Sequence, residues 1–340
     1  MMQGKLYTSG SVIRNDGQLK KVCVNPHIFV ATTSGDQFSF MWQTLLEQLE
    51  NGDVKALARS ISLVENEQEG YQQFMASIPA GDGGKIIGIT GPPGAGKSTL
   101  TDGLIKALAD EGHRVGVLCV DPSSPFNLGA VLGDRIRMSD WYTHPHVYIR
   151  SLATRGSMGG LHPKIIEISE LLKAAHFDYI IVETVGVGQS EIEIAGLADT
   201  TVVVMVPEGG DEVQTMKAGL MEIADIFVVN KSDRPDADLF AKNLRQMLAP
   251  AFSNRQLEVP IVKTVASTGE GVQLLATEIK RHQGSSAGKG KRVWLLAEKA
   301  WQLIQQSRMK GLTKKQLAAA IGDVRQTGFN LYLFVQQFTV

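Results

Sequence analysis

Short, continuous runs of apolar residues recur through the middle of this chain of 340 residues, and stretches of helical character separate them. The runs occupy residues 86–89, 115–120, 179–182, 201–206, 226–229 and 259–262. Runs that lack a polar face are typical of strands buried on both sides, and intervening helices indicate parallel strands. We therefore predict an α/β domain over residues 81–283, in which a mostly parallel sheet carries helices on both faces.

Polar or glycine-rich residues follow each of these runs, at the predicted end of the strand. Asp121 follows the second run, Glu183 the third and Asn230 the fifth. Ligands of open parallel sheets bind at the carboxyl ends of the strands, where such residues meet. The sequence therefore predicts a ligand site along this edge of the sheet.

The first run leads into a phosphate-binding loop, or P-loop. Its pattern, G-x-x-x-x-G-K-[ST], is matched by Gly91, Pro92, Pro93, Gly94, Ala95, Gly96, Lys97 and Ser98, and Thr99 continues into a predicted helix. The backbone N–H groups of such a loop bind phosphate oxygens together with the positive end of the helix. We expect Lys97 to reach the β- and γ-phosphates as a catalytic residue and Ser98 to bind Mg²⁺. The alternative is a chance glycine-rich turn.

A second motif, Asn230-Lys231-Ser232-Asp233, matches the N-K-x-D pattern of GTP-binding proteins. The Asp233 carboxylate would accept hydrogen bonds from the ring N–H and the exocyclic amine of guanine, a donor pair that adenine lacks. Ala266 and Ser267 fit the loop whose backbone N–H meets the base oxygen. An exposed turn is the alternative, since Asn, Ser and Asp favour turns. The position of the motif at a strand end favours GTP and GDP as ligands.

Carboxylates suited to a magnesium ion follow other strands. Glu183 stands where the D-x-x-G loop of GTP-binding proteins has aspartate, and Gly186 would donate its N–H to the γ-phosphate. Asp121 and Asp134 are further carboxylates for the metal or its water ligands. No residue is an obvious general base for hydrolysis, and the groups that loop movement could bring in are Gln189, Gln214, Lys217 and Arg135. A plain glycine turn after Glu183 is the alternative.

Charge and composition restrict the other classes of function. A net charge of −1 argues against nucleic acid and against a membrane surface as partners. No apolar run approaches the length of a membrane span, and the N-terminus lacks a signal-peptide pattern. Cys23 and Cys119 make no disulfide framework, and Cys119 is expected to be a buried thiol. The scattered histidines match no zinc pattern. These features predict a cytoplasmic protein.

The two flanks differ from the central domain. Residues 1–40 form either a hairpin turning at Asp16-Gly17 or a loosely ordered extension, and receive no function. The pattern of residues 41–80 predicts three helices, and Asp53 is the expected N-cap of the second. The inner face expected for that helix consists of Val54, Leu57, Ala58, Ile61 and Val64. After a basic linker at 284–292, Trp294, Ala297, Trp301 and Ile304 recur at helical spacing, which indicates a core or dimer contact rather than a cofactor site.

Several segments together resemble the MeaB/ArgK family of P-loop GTPases. They are GPPGAGKST, VDPSSP, LGDRIRM, ETVGVGQSE, residues 209–225 and NKSD, and the resemblance covers about residues 42–283. It implies an α/β G domain between helical N- and C-terminal extensions, GTP hydrolysis, and a homodimer whose dimerisation segment lies within residues 284–340. It also implies association with an adenosylcobalamin-dependent acyl-CoA mutase, typically methylmalonyl-CoA mutase, whose cofactor loading the family gates and which it protects or reactivates.

The resemblance also assigns residues. Gln214 and Lys217 fall in the additional switch of the family, which the partner mutase orders to stimulate a slow intrinsic hydrolysis, and Asp121, Asp134 and Glu183 match the metal-associated carboxylates. Other readings stay open on the residues alone. They are a nickel-insertion GTPase, a GTP-dependent scaffold without catalysis, and an ATP-driven transport component.

Overall fold

In the computed structural model the described residues are 13–15, 18–20, 36–79, 83–121, 138–155, 161–184, 190–207, 223–252, 259–284, 289–309, 312, 314–324 and 330–336. Near the N-terminus, β1 (Ile13–Asn15) pairs antiparallel with β2 (Gln18–Lys20), and Ile13 lies opposite Lys20. This pairing is the one that the hairpin prediction requires.

A group of helices precedes the central domain. It consists of α1 (Asp36–Glu50), α2 (Val54–Glu65) and α3 (Tyr71–Ser77). The Asp53 side chain accepts hydrogen bonds from the N–H groups of Lys55 and Ala56, as expected of an N-cap residue. Val54 was expected on the inner face of α2, which is wrong: its side chain is 43% exposed, because it lies directly after the cap where the helix has not yet met the core.

The centre of the molecule is a seven-stranded sheet whose strands are all parallel. In chain order the strands are β3 (Lys85–Thr90), β4 (Val115–Asp121), β5 (Val147–Ala153), β6 (Tyr179–Glu183), β7 (Thr200–Met205), β8 (Ile226–Val229) and β9 (Ile261–Lys263). Their spatial order is β5-β4-β6-β3-β7-β8-β9. Because β3 lies between β6 and β7, the carboxyl ends of these three strands lie side by side. The predicted α/β class with a parallel sheet is confirmed.

Helices cover both faces of the sheet. They are α4 (Lys97–Asp110), α5 (Ile165–Ala174), α6 (Ser190–Leu197), α7 (Ala237–Phe252) and α8 (Val272–Gln283). Side chains alternate along each strand: Ile87 and Ile89 face the core that contains α4 and α8, while Ile86 faces the core that contains α1, α2 and α5. Each fully buried aliphatic side chain contributes roughly 1.5–3 kcal/mol to folding.

One strand, β5, has no counterpart among the predicted apolar runs. It is the edge strand beside β4, and only Tyr148, Leu152 and Ala153 in it are buried. Its Arg150 forms an ion pair with Glu65 of α2. A half-exposed strand with a central arginine has no continuous apolar run, so the criterion applied to the sequence missed it.

An ion-pair cluster connects the helical prefix to this edge of the sheet. Besides Arg150, the Glu65 carboxylate lies 3.9 Å from the guanidinium of Arg155 and 3.7 Å from Nε2 of His162. His162 is buried, and its Nδ1 accepts the Lys164 N–H at 3.0 Å, so the ring proton is assigned to Nε2. Burial and the nearby Arg155 and Lys164 cations lower the pKa of His162 from 6.5 to about 4. The imidazole is therefore neutral at physiological pH.

The C-terminal part of the chain forms α9 (Lys289–Arg308), α10 (Lys314–Val324) and α11 (Leu331–Gln336). Leu295 of α9 packs onto α6 at Gly196. A Cβ added to Gly196 would lie 3.1 Å from the Cβ of Leu295. Trp294 is 69% exposed and Trp301 is 59% exposed, and Ala297 and Ile304 are exposed as well. In the described part of the chain these four side chains are therefore not part of the core, and the dimer contact stays a prediction. None of the described helices combines the length and the apolar character needed to cross a membrane.

Candidate nucleotide-binding site

The P-loop runs from the end of β3 to the start of α4, and its glycines are required by close backbone approach. Gly91 has φ +141°, and a Cβ there would lie 2.1 Å from the Val204 carbonyl oxygen of β7. Gly96 has φ +86°, and a Cβ there would lie 2.4 Å from Nδ2 of Asn230. A side chain at Gly91 would displace the β7 backbone, and one at Gly96 would displace the side chain of Asn230.

Lys97 is the first residue of α4 and is buried. Its ammonium group donates hydrogen bonds to the carbonyl oxygens of Gly91, at 3.0 Å, and of Pro92, at 3.1 Å. The cation thus lies inside the loop that its own backbone forms. A phosphate group would offer this ammonium charge-assisted hydrogen bonds, which are stronger than bonds to neutral carbonyls.

A buried carboxylate, Glu183, lies against the first turns of α4. Ser98 Oγ donates to Oε1 of Glu183 at 2.7 Å, and Thr101 Oγ1 donates to Oε2 at 2.9 Å. Ser98 and Thr101 are three residues apart, so they share one face of the helix. The next residue, Thr184, donates through its hydroxyl to Thr90 at the end of β3. These contacts connect the strand end of β6 to the P-loop.

Thr101 is the residue of this group that the sequence motifs did not reveal. It lies outside the P-loop pattern, and a buried threonine on a helix is otherwise unremarkable in sequence. Its spacing from Ser98, one helical turn further on, is the signal that could have found it.

The side chains around Ser98 fit a magnesium ion. Mg²⁺ prefers oxygen ligands, and the site offers the Ser98 hydroxyl and the Glu183 carboxylate, with buried Asp121 at the end of neighbouring β4. Within the described ranges, no group of three or more His, Cys, Asp or Glu side chains is arranged to hold a metal. Mg²⁺ commonly binds one or two carboxylates together with nucleotide phosphate oxygens and water, and a site of this composition would suit it.

Asn230 connects three loops of the site. Its amide nitrogen donates to the Ala95 carbonyl oxygen in the P-loop at 2.8 Å. Its amide oxygen accepts hydrogen bonds of 3.1 Å from the Thr264 hydroxyl and from the Ala266 N–H, both after β9. This buried side chain satisfies donors and acceptors of segments far apart in sequence, which fixes their relative position.

The rest of the N-K-x-D motif lies beside the P-loop. Lys231 has φ +55°, and its ammonium group donates to the Gly94 carbonyl oxygen at 2.8 Å. The Ser232 N–H donates to the Thr264 carbonyl oxygen at 3.0 Å. Asp233 and Ser267 are both exposed, on the two loops that these bonds hold together. The structure thus brings the P-loop, the N-K-x-D loop and the Ala266-Ser267 loop to one place.

Several predicted site residues lie outside the described residues. They are Asp134, Gly186, Gln214 and Lys217, together with Gln189 and Arg135. Their predicted roles stay predictions.

A parallel sheet with a P-loop at its centre and an adjoining N-K-x-D loop defines a P-loop nucleotide-binding protein of the GTPase class. Comparison with protein families makes this more specific. Residues 57–320 match the family described as "Methylmalonyl Co-A mutase-associated GTPase MeaB". The chain belongs to this MeaB family of GTPases.

Individual relatives agree with this assignment. A protein of Pyrococcus horikoshii named as a GTPase is 47% identical over 286 residues, which cover 82% of this chain and 89% of that protein. The mouse protein "Methylmalonic aciduria type A homolog, mitochondrial" is 32% identical over 329 residues, covering 87% of this chain and 77% of the relative. Among solved structures, "LAO/AO transport system kinase" has a TM-score of 0.61 at 23% identity and covers 92% of this chain and 98% of its own. That likeness concerns the fold.

Proposed function

We propose that this protein is a GTP-hydrolysing chaperone of an adenosylcobalamin-dependent acyl-CoA mutase. In this role it gates the loading of adenosylcobalamin and protects or reactivates the mutase, and it acts in the cytoplasm. The observation that carries the proposal is the match of residues 57–320 to a family described by its association with methylmalonyl-CoA mutase. The name of the mouse relative refers to methylmalonic aciduria, which also supports an association with methylmalonyl-CoA metabolism.

The nucleotide is proposed to lie across the P-loop with its base toward the N-K-x-D loop. Lys97 would move from the carbonyl oxygens of Gly91 and Pro92 to the β- and γ-phosphates, and residues 91–99 would supply backbone N–H groups. Asp233 would accept hydrogen bonds from guanine, with the Lys231 stem covering the base. Because the Ala266 N–H donates to Asn230, the neighbouring Ser267 N–H is the proposed donor to the base oxygen.

Magnesium is proposed to lie beside Ser98, with Asp121, Asp134 and Glu183 as ligands of the ion or of its water molecules. Ser98 can bind a metal through an oxygen lone pair while its O–H continues to donate to Glu183, since a hydroxyl has one donor and two acceptor sites. When bound, the ion neutralises charge that develops on the γ-phosphate. Gly186 would donate its N–H to that phosphate.

Slow intrinsic hydrolysis that rises on mutase binding is the proposed mode of action. Gln214 and Lys217 are the proposed catalytic groups of the partner-ordered loop, and this assignment rests on the family resemblance. Charge neutralisation by a group that only the partner brings into place is an established way to accelerate phosphoryl transfer by several orders of magnitude.

A homodimer is part of the proposal. The exposed apolar side chains of the C-terminal helices include Val293, Trp294, Trp301, Ile304 and Leu333. Contiguous apolar surface that remains exposed on a subunit is typical of an interaction site. A second copy of the chain is the proposed occupant.

The experiment that tests the function is a pull-down of native partners by the purified protein loaded with a non-hydrolysable GTP analogue. Recovery of a cobalamin-dependent mutase, and GTP turnover that rises when this mutase is added, is the expected result. Lys217→Ala should keep GTP affinity and lose the stimulated part of turnover. Fast turnover without any mutase, unchanged when the mutase is added, would show the mechanism to be wrong.

A further inference from the structure

We propose that Thr101 is a positioning residue that holds the Glu183 carboxylate in place for a magnesium ion bound with the nucleotide. This inference rests on the proposed function, because it concerns the metal site of the same nucleotide. It adds a determinant of metal affinity that lies outside the P-loop pattern.

The two carboxylate oxygens of Glu183 accept hydrogen bonds from different residues. Ser98 Oγ donates to Oε1 at 2.7 Å, and Thr101 Oγ1 donates to Oε2 at 2.9 Å. Thr101 is fully buried and Glu183 is nearly so. A bond to each oxygen fixes the rotation of the carboxylate group about its last side-chain bond, which a single bond would leave free.

The need for a second bond follows from the length of the side chain. Glutamate has one more rotatable bond than aspartate, and the torsion that carries its carboxylate has a broad energy profile. Ordering a flexible side chain of this kind has an entropic cost. A hydroxyl on the next turn of α4, already fixed by the helix, supplies that order before any ligand arrives.

Accepting these two bonds is compatible with metal binding by Glu183. An ionised carboxylate has about four lone-pair positions, and the hydroxyls of Ser98 and Thr101 each occupy one of them. Groups that hold a ligand of a metal in position affect metal affinity by about 10- to 100-fold when they are removed. Thr101 therefore contributes to metal affinity without touching the metal.

The test uses the full-length protein and Mn²⁺ as the probe for the magnesium site. Thr101→Val keeps the volume of the side chain and removes the hydroxyl, whereas Thr101→Ser keeps the hydroxyl. Electron paramagnetic resonance of Mn²⁺ measures metal affinity in the GDP complex, and fluorescent GDP measures nucleotide affinity in EDTA. For Thr101→Val we expect Mn²⁺ affinity to fall about 10- to 100-fold, with GDP affinity in EDTA unchanged. Thr101→Ser, which keeps the hydroxyl, should bind Mn²⁺ with the affinity of the wild type.

Thr201→Val is the matched control, since Thr201 is a fully buried threonine of β7 whose hydroxyl has no hydrogen-bond partner among the described residues. It should leave Mn²⁺ affinity unchanged. If Thr101→Val does not fold, Thr101→Cys, whose thiol is only a weak donor, replaces it, and Mn²⁺ affinity is again expected to fall below that of the wild type.

The outcomes separate this inference from the proposed function. Wild-type protein that binds neither GDP nor Mn²⁺ overturns the proposed function and the inference with it. Wild-type protein that binds both, with unchanged Mn²⁺ affinity in Thr101→Val, overturns the inference alone. If Mn²⁺ affinity falls as much in Thr101→Ser as in Thr101→Val, Thr101 has a packing role, and the inference is likewise overturned.

Discussion

The side-chain amide of Asn230 donates a 2.8 Å hydrogen bond to the carbonyl oxygen of Ala95, so the loop after β8 is joined directly to the P-loop. The two residues are 135 positions apart in the chain. Since the same side chain also accepts from Thr264 and Ala266, the phosphate and base regions of the site share one buried connector.

Replacing this connector should weaken both folding and nucleotide binding. In Asn230→Ala three partners lose their hydrogen bonds, and each buried polar group left unsatisfied costs about 1–3 kcal/mol. We expect the unfolding free energy to fall by at least about 2 kcal/mol and GDP affinity to fall by about tenfold or more. Urea unfolding and GDP titration measure the two effects. Thr264→Val, which removes a single bond, should have the smaller effect, and the reverse order would contradict this account.

Two glycines of the P-loop should respond differently to the same substitution. Gly94 and Gly96 both have positive φ, of +76° and +86°, so alanine is strained at each by about 1–2 kcal/mol. Around Gly94 a Cβ would meet no atom within 4 Å, whereas at Gly96 it would lie 2.4 Å from Asn230. We expect Gly96→Ala to lower the unfolding free energy by at least about 1 kcal/mol more than Gly94→Ala. Equal losses in thermal or urea unfolding would argue against this close contact.

Base preference should depend on Asp233. Asp233→Asn replaces two acceptor oxygens by one acceptor and one donor, which suits a base with a carbonyl in place of the guanine amine. We expect GTP affinity to fall by about 10- to 100-fold and xanthosine triphosphate to become the better ligand. Competition binding with both nucleotides measures the change. Asp236→Asn, an equal loss of charge at an exposed position of the same loop, should keep the preference for GTP.

Stability should depend on pH through His162. The pKa of this imidazole is about 4 in the folded protein against 6.5 as its ordinary value, so the unfolded chain binds more protons between these limits. The contribution of His162 is therefore full above about pH 6.5 and is lost as the pH falls toward 4, by about 3 kcal/mol in total. Protonation would place a new cation beside Arg150, Arg155, Lys164 and Lys299, with Glu65 as the facing carboxylate.

The measurement is urea unfolding at several pH values between 4 and 7. In His162→Asn the side-chain oxygen can still accept the Lys164 N–H, and no group titrates there. This variant should be less stable at pH 7 but should lose less stability on acidification than the wild type. His146→Asn, at an exposed histidine, should follow the wild-type profile. Parallel profiles for wild type and His162→Asn would contradict the assigned pKa.

Much of the sheet was predictable because a strand buried on both faces has no polar positions. Residues 226–229 show this clearly, since the predicted run and β8 coincide. β5 was missed because Arg150, in its centre, has its ion-pair partner in Glu65, 85 residues away. Propensity and periodicity contain no term for such a distant pair.

The two nucleotide-binding motifs were also recognisable in the sequence. The P-loop and the N-K-x-D motif have fixed residue types, because phosphate and base chemistry leave few alternatives. The contact of Asn230 with Ala95 and that of Thr101 with Glu183 were not predicted, because they depend on how strands far apart in the chain are ordered in the sheet. The exposure of Trp294 and Trp301 was also undetermined, since a helical stripe does not reveal whether it faces its own core or another subunit.

The C-terminal helix α9 packs directly on α6 through the contact between Leu295 and Gly196. The helix α6 begins at Ser190. A chain shortened to end at Gly284 would keep every sequence motif of the nucleotide site. It would also uncover the apolar surface of α6 that Leu295 covers. Such a chain is expected to aggregate, since exposed apolar surface promotes association between molecules.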